Sequence, residues 1–238
     1  MAEAPALGAQ AGSVEVKICG LCRREDVLHA DGAGADYLGF IASDGFGRSV
    51  ERGALTALGR GVRATTVAVL VDETLEEAAA RARLLGAGVV QLHGDEDPAV
   101  AAALRAAGSW KVWKALRIRS LDELESGVRA FDGAVDGLLV EGWRPNVQGG
   151  GGAGVDPAWA EGVRASVPPS ARFILAGGLT ADTVYRAVAR FQPDVVDVSS
   201  GVEASHREKS PDAVTRFIRE ARRGTPSDPR LSPSDILE

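Results

Sequence analysis

The sequence predicts a single (β/α)8 TIM barrel, an α/β fold in which parallel strands alternate with helices around a closed sheet. Short apolar runs alternate with longer amphipathic segments along most of the chain, which is typical of repeated β-α units. Eight units fit the 238 residues, at roughly one unit per 25–30 residues. The last two strand-like runs, 173–179 and 195–203, end in small residues. Backbone N–H groups exposed at such ends bind phosphate, as the loops after strands seven and eight of these barrels do. We therefore expect a barrel enzyme that acts on a phosphorylated small molecule.

The eight predicted strands are apolar runs of four to six residues. Helical segments between them include Leu75–Leu85, with alanines and leucines near one face, and Thr180–Arg190 between the last two strands. A doubly wound open sheet is the structural alternative, but the even spacing and the two phosphate-type strand ends favour closure. The strands are predicted at Val14–Cys19, Tyr37–Ile41, Thr66–Val71, Val89–Leu92, Trp110–Ala115, Gly137–Glu141, Arg172–Ala176 and Val195–Ser199.

The predicted domain organisation is one barrel between two flexible ends. Residues 1–13 are rich in alanine and glycine, and residues 224–238 are rich in proline, serine and aspartate without periodicity. The barrel domain is expected to span residues 14–223, which leaves no room for a second domain. Gly142–Val155 is glycine-rich and long for an ordinary connection, so we predict an active-site loop after strand six.

The composition limits the partners and the compartment. The net charge is −6, which does not indicate a basic surface, so no nucleic-acid partner is expected. The first residues lack the basic and apolar regions of a signal peptide, and no run is long enough to span a membrane. Two cysteines exclude a disulfide scaffold. These observations predict a cytoplasmic protein with no membrane partner.

Functional side chains in such a barrel lie at the C-terminal ends of the strands. Alternation along a strand places Cys19 on one face with Lys17, and Glu141 on one face with Leu139. Both Cys19 and Glu141 can therefore point over the mouth of the barrel, where a thiol facing a carboxyl suggests acid–base chemistry on a sugar phosphate. The strand-end positions are Cys19, Phe46–Arg48, Asp72, Gln91, His93, Lys114 and Glu141.

Several of these residues have a purely structural interpretation as well. Cys19 could be a buried structural thiol, and His93 could be a hydrogen-bonded packing residue at a strand end. Asp72 and Thr180 are better explained as helix caps than as catalysts. The remaining candidates are Lys17 and Lys114, which could be paired inside the barrel with carboxylates such as Asp197.

The spacing Cys19-Gly-Leu-Cys22 also matches the C-x-x-C pattern of redox proteins and half of a zinc site. No second C-x-x-C occurs, and His29, His93 and His206 are scattered along the chain. A redox role would need a thioredoxin-like context that an eight-unit barrel does not offer. We therefore expect no metal.

Six blocks in order, between about residues 14 and 220, resemble the phosphoribosylanthranilate isomerase family of tryptophan biosynthesis. No single block is specific, but the set is. The blocks are Val16-Lys-Ile-Cys-Gly-Leu21, Gly39-Phe-Ile41, Val90-Gln-Leu-His-Gly-Asp-Glu96, Trp113-Lys-Ala115, Leu175-Ala-Gly-Gly-Leu179 and Val196-Asp-Val-Ser-Ser-Gly-Val-Glu203.

The resemblance implies a cofactor-free Amadori rearrangement of N-(5-phosphoribosyl)anthranilate. Members of such barrel families associate differently, so a monomer and a homodimer both stay open. The resemblance also implies that Cys19 is the general base and Glu141 the general acid. Arg48 would pair with the anthranilate carboxylate, for which a planar guanidinium is well suited. The implied phosphate-binding residues are Gly177, Gly178, Ser199, Ser200 and Gly201, and the other substrate-binding residues are Gln91, His93 and Asp197.

The chain also departs from the family pattern. The acid position carries Glu141 instead of aspartate, and one added methylene moves the carboxyl by roughly 1 Å, which can lower a rate on the order of 10²-fold. The loop after it has Gly151-Gly-Ala-Gly154 and Pro157-Ala-Trp159, with one hydroxyl and one carboxylate fewer. Arg207 and Ser210 replace a glycine and an aspartate. Two alternatives remain: a paralogue that isomerises another phosphoribosyl amine, and a non-catalytic phosphosugar-binding protein.

Overall fold

The computed structural model describes residues 13–143 and 153–224, and it has the predicted closed parallel barrel. Each strand pairs with the next along the chain, and the first strand pairs with the eighth to close the ring, with Lys17 beside Asp197. The strands are β1 Glu15–Ile18, β2 Tyr37–Ile41, β3 Thr65–Leu70, β4 Val89–Leu92, β5 Lys111–Ile118, β6 Gly137–Gly142, β7 Arg172–Leu175 and β8 Val195–Val198.

The helices form an outer layer around this sheet. Their starts follow from local sequence: Thr74 accepts a hydrogen bond from the Glu77 amide at the start of the helix Leu75–Leu85, and Asp97 accepts one from the Ala99 amide at the start of the helix Pro98–Ala106. A short hairpin, β9 Glu203–Ser205 and β10 Glu208–Lys209, follows β8. The helices are α1 Arg24–Gly32, α2 Leu55–Gly59, α3 Leu75–Leu85, α4 Pro98–Ala106, α5 Leu121–Ala130, α6 Ala160–Ser166, α7 Val184–Phe191 and α8 Pro211–Arg223.

The core has two parts, because alternate residues of each strand face inward and outward. The outward residues, with the apolar faces of the helices, form the larger cluster between sheet and helices. The inward residues fill the barrel around Val69, Trp113, Leu139 and Ile174. Cys19 belongs to this inner cluster, so its thiol lies at the top of the barrel interior.

Two predictions about helix starts are wrong. The helix after β7 begins at Val184, not at Thr180, because Thr180 to Thr183 form a turn in which Thr180 Oγ1 accepts from the Asp182 amide. Asp72 does not cap α3, since Thr74 does. Asp72 instead adopts a positive φ of 52° and accepts a hydrogen bond of 2.7 Å from the Asp95 amide, which ties the loop after β3 to the loop after β4.

Strand β5 is longer than predicted. It continues past Ala115 to Ile118, and its pairing with β6 includes Arg117 beside Glu141. The apolar run is interrupted at Arg117, which is why the sequence pattern ends the strand too early. The extension carries a charged residue, Arg117, to the C-terminal end of the barrel.

Several predictions concern residues that the structure leaves undescribed. The flexible ends, predicted for residues 1–13 and 224–238, fall almost entirely outside the described residues. The same holds for residues 144–152 of the predicted active-site loop. Its two ends are described and meet, because the Gly142 amide donates to the Ala153 carbonyl at 2.9 Å. Over the described ranges, no helix has the length and apolar character needed to cross a bilayer.

Candidate active site

A cavity opens at the C-terminal ends of the strands, and both Cys19 and Glu141 line it. The structure thus brings together two residues that are far apart in the chain. Phe46, Ile41, Val69 and Val71 form an apolar wall, while Gln91, His93 and Asp197 contribute polar groups. The remaining lining residues belong to the loops after β7 and β8, namely Ala176, Gly177, Gly178, Leu179, Val198, Ser199, Ser200 and Gly201.

Cys19 lies next to a fully buried ion pair. Lys17 Nζ donates to Asp197 Oδ2 at 3.0 Å, and the Lys17 side chain has no exposed surface. Gly39 on the neighbouring strand makes room for this arrangement, since an added Cβ would lie 2.9 Å from Cys19 Sγ and 3.1 Å from Lys17 Cε. The expectation that a carboxylate pairs with Lys17 inside the barrel is confirmed.

The protonation of this cluster follows from burial and charge. Burial raises the pKa of the Cys19 thiol, and the neighbouring Lys17 ammonium opposes this rise only in part. Burial alone would lower the pKa of Lys17, but Asp197 more than compensates, so that pKa lies above its ordinary value. The resting site therefore holds a thiol beside a permanent ammonium, and Lys17 stabilises the thiolate whenever it forms.

Glu141 faces His93 across the cavity. Glu141 Oε1 lies 3.2 Å from His93 Nε2, and both side chains are buried. Gln91 Nε2 lies 2.9 Å from His93 Nδ1, and this assignment of the Gln91 amide makes Nδ1 the acceptor and places the proton of a neutral ring on Nε2. The Glu141–His93 contact lacks hydrogen-bond geometry, so both groups keep bonding capacity for a ligand.

The loop after β7 lies so close to the connection after β6 and to the loop after β8 that only glycine fits at two contact points. Gly177 and Gly178 have φ values of 90° and 63°, which favour glycine. A Cβ on Gly177 would collide with the Ala153 carbonyl oxygen, and a Cβ on Gly201 would collide with the Leu179 carbonyl oxygen. Bare backbone from two loops therefore lines one end of the cavity, which is a suitable surface for a phosphate.

Unused hydrogen-bonding atoms also mark this cavity. Among the described residues that line the cavity, four atoms are buried without a hydrogen-bond partner, namely Gln91 Oε1, His93 Nε2, Asp197 Oδ1 and Ser199 Oγ. Buried polar atoms are normally paired, so four such atoms around one cavity indicate a polar ligand. Gln91 and Asp197 lie towards the barrel interior, and Ser199 lies in the loop after β8.

Arg48 occupies a different position from the one the sequence suggests. Its Nε and Nη2 donate to the two carboxylate oxygens of Glu203, both at 2.7 Å, and Arg48 is not among the residues that line the cavity. Lys209 Nζ lies 3.2 Å from the same carboxylate and donates to the Ser199 carbonyl at 2.9 Å. Arg48 thus forms a half-buried ion-pair network, and its contact with an aryl carboxylate stays a prediction that would require Glu203 to release it.

Replacing Glu203 by glutamine tests the strength of this network. Burial alone would raise the pKa of Glu203, but the hydrogen bonds from Arg48 and the charge of Lys209 hold it below its ordinary value. Such a carboxylate stabilises the fold above its unfolded pKa of about 4.3, and this contribution disappears as the pH falls through the lower folded pKa. We expect Glu203→Gln to lower the free energy of unfolding at pH 7 by about 1–3 kcal/mol, measured by urea unfolding.

The matched control is Glu125→Gln, which removes an exposed carboxylate that lies 3.5 Å from Arg129 on α5. Exposed pairs contribute little, so this variant should unfold as the parent does. Between pH 5 and about pH 3, Glu203→Gln should lose less stability than the parent. Identical pH dependence for Glu203→Gln and the parent would contradict the assignment.

Other charged residues have structural roles. Lys114 Nζ lies 2.6 Å from Glu96 Oε2, so its expected pairing with a carboxylate is confirmed. The expected place inside the barrel is wrong, because Lys114 alternates with the inward-facing Trp113 and Ala115 and lies on the helix side of the sheet, against Phe131. Arg207 has a φ of 71°, which explains why a glycine suits this position, and its guanidinium donates to the Gly47 and Ser49 carbonyls. Ser210 caps α8 by accepting from the Ala213 amide, a role that aspartate also performs.

The two cysteines of the C-x-x-C pattern are not joined by a disulfide bond in this structure. Cys19 and Cys22 are both free, and Cys22 is not among the residues that line the cavity. The Cys22 thiol donates to the Arg48 carbonyl at 3.4 Å. Sequence reasoning missed Glu203 as the partner of Arg48 and missed Arg117 near the mouth of the barrel. The available sequence signal for the Arg48 pairing was the negative charge of Glu203, at the end of the block that begins at Val196.

Comparison with known proteins identifies the family. The family model described as N-(5′-phosphoribosyl)anthranilate (PRA) isomerase matches residues 16–220. The chain belongs to this family. It is 42% identical over 205 residues to the isomerase of that name from Chromohalobacter salexigens, covering 85% of this chain and 92% of that protein.

Solved isomerase structures have the same fold. One describes monomers generated from the dimeric enzyme of Thermotoga maritima, at 27% identity, with a TM-score of 0.76, covering 87% of this chain and 98% of that one. Another holds reduced 1-(o-carboxyphenylamino)-1-deoxyribulose 5-phosphate, at 26% identity, with a TM-score of 0.75 and the same coverage. The predicted family and barrel are confirmed.

Proposed function

We propose that this chain isomerises N-(5-phosphoribosyl)anthranilate to 1-(2-carboxyphenylamino)-1-deoxyribulose 5-phosphate, with Cys19 as general base and Glu141 as general acid. The observation that carries the proposal is that one cavity is lined by both groups and by the bare backbone after β7 and β8. A phosphate bound at that end would leave the ribose between the thiol and the carboxyl. No cofactor is needed, because the rearrangement is internal to the substrate: the ring C1′–O bond opens, C2′ is oxidised as C1′ is reduced, and the protons are moved by acid and base.

The first step is opening of the furanose ring. Glu141 donates its proton to the ring oxygen, the C1′–O bond breaks, and the nitrogen lone pair forms a Schiff base at C1′. Glu141 is left as a carboxylate. Its position 3.2 Å from His93 Nε2 supports this step, because a proton on that nitrogen lies beside the negative charge that forms.

The second step removes the proton from C2′. Cys19, after its thiol has released its proton to solvent, takes the C2′ proton as the thiolate, and the C2′ electron pair moves into the iminium system to give an enolamine. The enolamine then tautomerises, gaining a proton at C1′ and releasing the C2′ hydroxyl proton, to the ketose. Lys17 supports the thiolate electrostatically, since burial works against it.

Binding would be shared between the two ends of the site. Gly177, Gly178, Ser199, Ser200 and Gly201 would hold the phosphate through backbone N–H groups. The unpaired Gln91 Oε1 and Asp197 Oδ1 would accept hydrogen bonds from the ribose hydroxyls. His93 lies between the acid and Gln91 and completes this polar wall.

The proposed setting is the cytoplasm, with a small-molecule substrate as the partner. A monomer and a homodimer are both compatible with the family, because the Thermotoga maritima relative is described as a dimeric enzyme from which monomers were generated.

A second candidate keeps the fold but changes the substrate, and the observation that favours it is Glu141 at the acid position. A longer side chain at this position suits a paralogue that acts on another phosphoribosyl amine.

The test is purified protein with freshly made substrate, in which loss of the substrate's fluorescence reports isomerisation, together with rescue of a tryptophan auxotroph. Turnover of a related amine without rescue would favour the paralogue. Ligand binding by calorimetry without any product would favour a non-catalytic phosphosugar-binding protein.

A further inference from the structure

A buried lysine of the short hairpin contacts the loop after β8 from behind. Lys209, on β10, is 3% exposed. Its Nζ donates to the Ser199 carbonyl oxygen at 2.9 Å and to Glu203 Oε1 at 3.2 Å. Its backbone amide donates to Asp26 Oδ2 on α1 at 3.1 Å, so the main chain and the side chain of Lys209 are both fixed. The ammonium group therefore holds one defined carbonyl of this loop.

Balancing the charge of Glu203 does not explain why a lysine is buried here. Burial lowers the pKa of Lys209, and the Glu203 carboxylate opposes this fall only in part, so the buried ammonium is costly. Glu203 is already paired with Arg48 through two hydrogen bonds of 2.7 Å. An apolar residue at position 209 would thus leave Glu203 with a cationic partner. What Lys209 adds is its hydrogen bond to Ser199.

This hydrogen bond sets the direction of a peptide group at the active-site cavity. Ser199 leaves the strand conformation of β8, with φ of −122° and ψ of −85°. In a trans peptide the carbonyl of one residue and the N–H of the next point in opposite directions. Ser199 and Ser200 line the cavity, whereas Lys209 does not. Because the Ser199 carbonyl is turned back to Lys209, the Ser200 N–H is turned towards the cavity.

We propose that Lys209 is a positioning residue for the phosphate of the substrate, because it holds the peptide between Ser199 and Ser200 with its N–H towards that phosphate. This inference rests on the proposed function, which places the phosphate at the loops after β7 and β8. A charged donor on the carbonyl also polarises the peptide, which makes its N–H a stronger donor. Lys209 itself lies behind the loop and does not touch the substrate. Its effect on binding therefore depends on the phosphate and not on the sugar or the aryl group.

The test compares two unreactive ligands that differ only in the phosphate. One is reduced 1-(o-carboxyphenylamino)-1-deoxyribulose 5-phosphate, and the other is the same compound with a hydroxyl in place of the phosphate. Their dissociation constants are measured by calorimetry for the parent, Lys209→Met and Lys111→Met. Lys111 is the matched control, because its side chain is 68% exposed and it begins β5, at the end of the barrel away from the cavity.

Lys209→Met should weaken binding of the phosphorylated ligand by about 10-fold to 100-fold, since a charge-assisted hydrogen bond that orients the loop is lost. The same variant should bind the unphosphorylated ligand within about twofold of the parent. With substrate, KM should rise by a similar factor while kcat changes by less than about threefold, because the phosphate is held equally in the ground and transition states. Lys111→Met should leave all of these values unchanged.

Equal losses for both ligands in Lys209→Met, or no loss for either, would overturn the proposal. Urea unfolding shows whether this variant folds. If it does not, Lys209→Gln is measured in its place, because its amide can still donate to the Ser199 carbonyl but carries no charge. It should lose at least about threefold in affinity for the phosphorylated ligand and less than about twofold for the other. Equal losses in Lys209→Gln would contradict the proposal in the same way.

Binding does not require turnover, so this test is independent of the isomerase assay. A parent protein that prefers the phosphorylated ligand but forms no product would contradict the proposed function and leave the result for Lys209 intact. A parent protein that binds both ligands equally would remove the phosphate from the loops after β7 and β8, and the role of Lys209 with it.

Discussion

Cys19→Ser is expected to lower kcat/KM for isomerisation by about 10²–10⁴-fold, the contribution typical of a general base. A serine hydroxyl has nearly the same size as the thiol, so the packing against the barrel interior is preserved. It is a far weaker acid, however, and Lys17 cannot bring it to the anionic form that removes the C2′ proton. The measurement is the initial rate of substrate fluorescence loss at several substrate concentrations.

Cys22→Ser is the matched control for this substitution. Cys22 lies outside the residues that line the cavity, and a serine there can still donate to the Arg48 carbonyl as the thiol does. We expect its kcat/KM to stay within about twofold of the parent, as for most changes away from the reacting atoms. If Cys19→Ser were as active as Cys22→Ser, Cys19 would not be the base.

Glu141→Gln is expected to cost a similar factor, about 10²–10⁴-fold in kcat/KM. Glutamine keeps the length of the side chain and its position next to His93, but an amide does not donate a proton as an acid. Glu141→Asp should keep an acid and shorten its reach by roughly 1 Å, so we expect an intermediate loss of up to about 10²-fold. This ordering separates the need for a carboxyl from the need for its present position.

Binding of the reduced carboxyphenylamino ligand controls for damage to the site. Glu141→Gln should bind it within about threefold of the parent, because the phosphate and aryl ends of the site are unchanged. A Glu141→Ala variant that turned over substrate at the parental rate would remove Glu141 from the mechanism.

The barrel and much of its mouth could be predicted from sequence because they depend on local patterns. Apolar runs at even spacing are sufficient to predict eight units, and the glycines and serines after β7 and β8 indicate the bare backbone found there. Alternation within single strands also predicts that Cys19 and Glu141 lie over one cavity, because a closed barrel brings all strand ends together.

What the sequence could not provide was the choice of partners between distant segments. The pairing of Arg48 with Glu203 joins residues 155 positions apart, and no local pattern indicates which carboxylate an arginine will select. Arg117 was missed because it ends an apolar run, so the strand was predicted to stop before it. Asp72 was misassigned because its turn is stabilised by a contact with the Asp95 amide on the next loop.

The most direct test of the paired base and acid is single-turnover loss of substrate fluorescence, followed with excess enzyme for the parent, Cys19→Ser and Glu141→Gln. Excess enzyme separates the chemical steps from product release. We predict that the parent consumes the substrate and that each variant is slower by at least about 10²-fold. A parental rate in either variant, or no turnover by the parent beyond that in buffer, would contradict the assignment of Cys19 and Glu141.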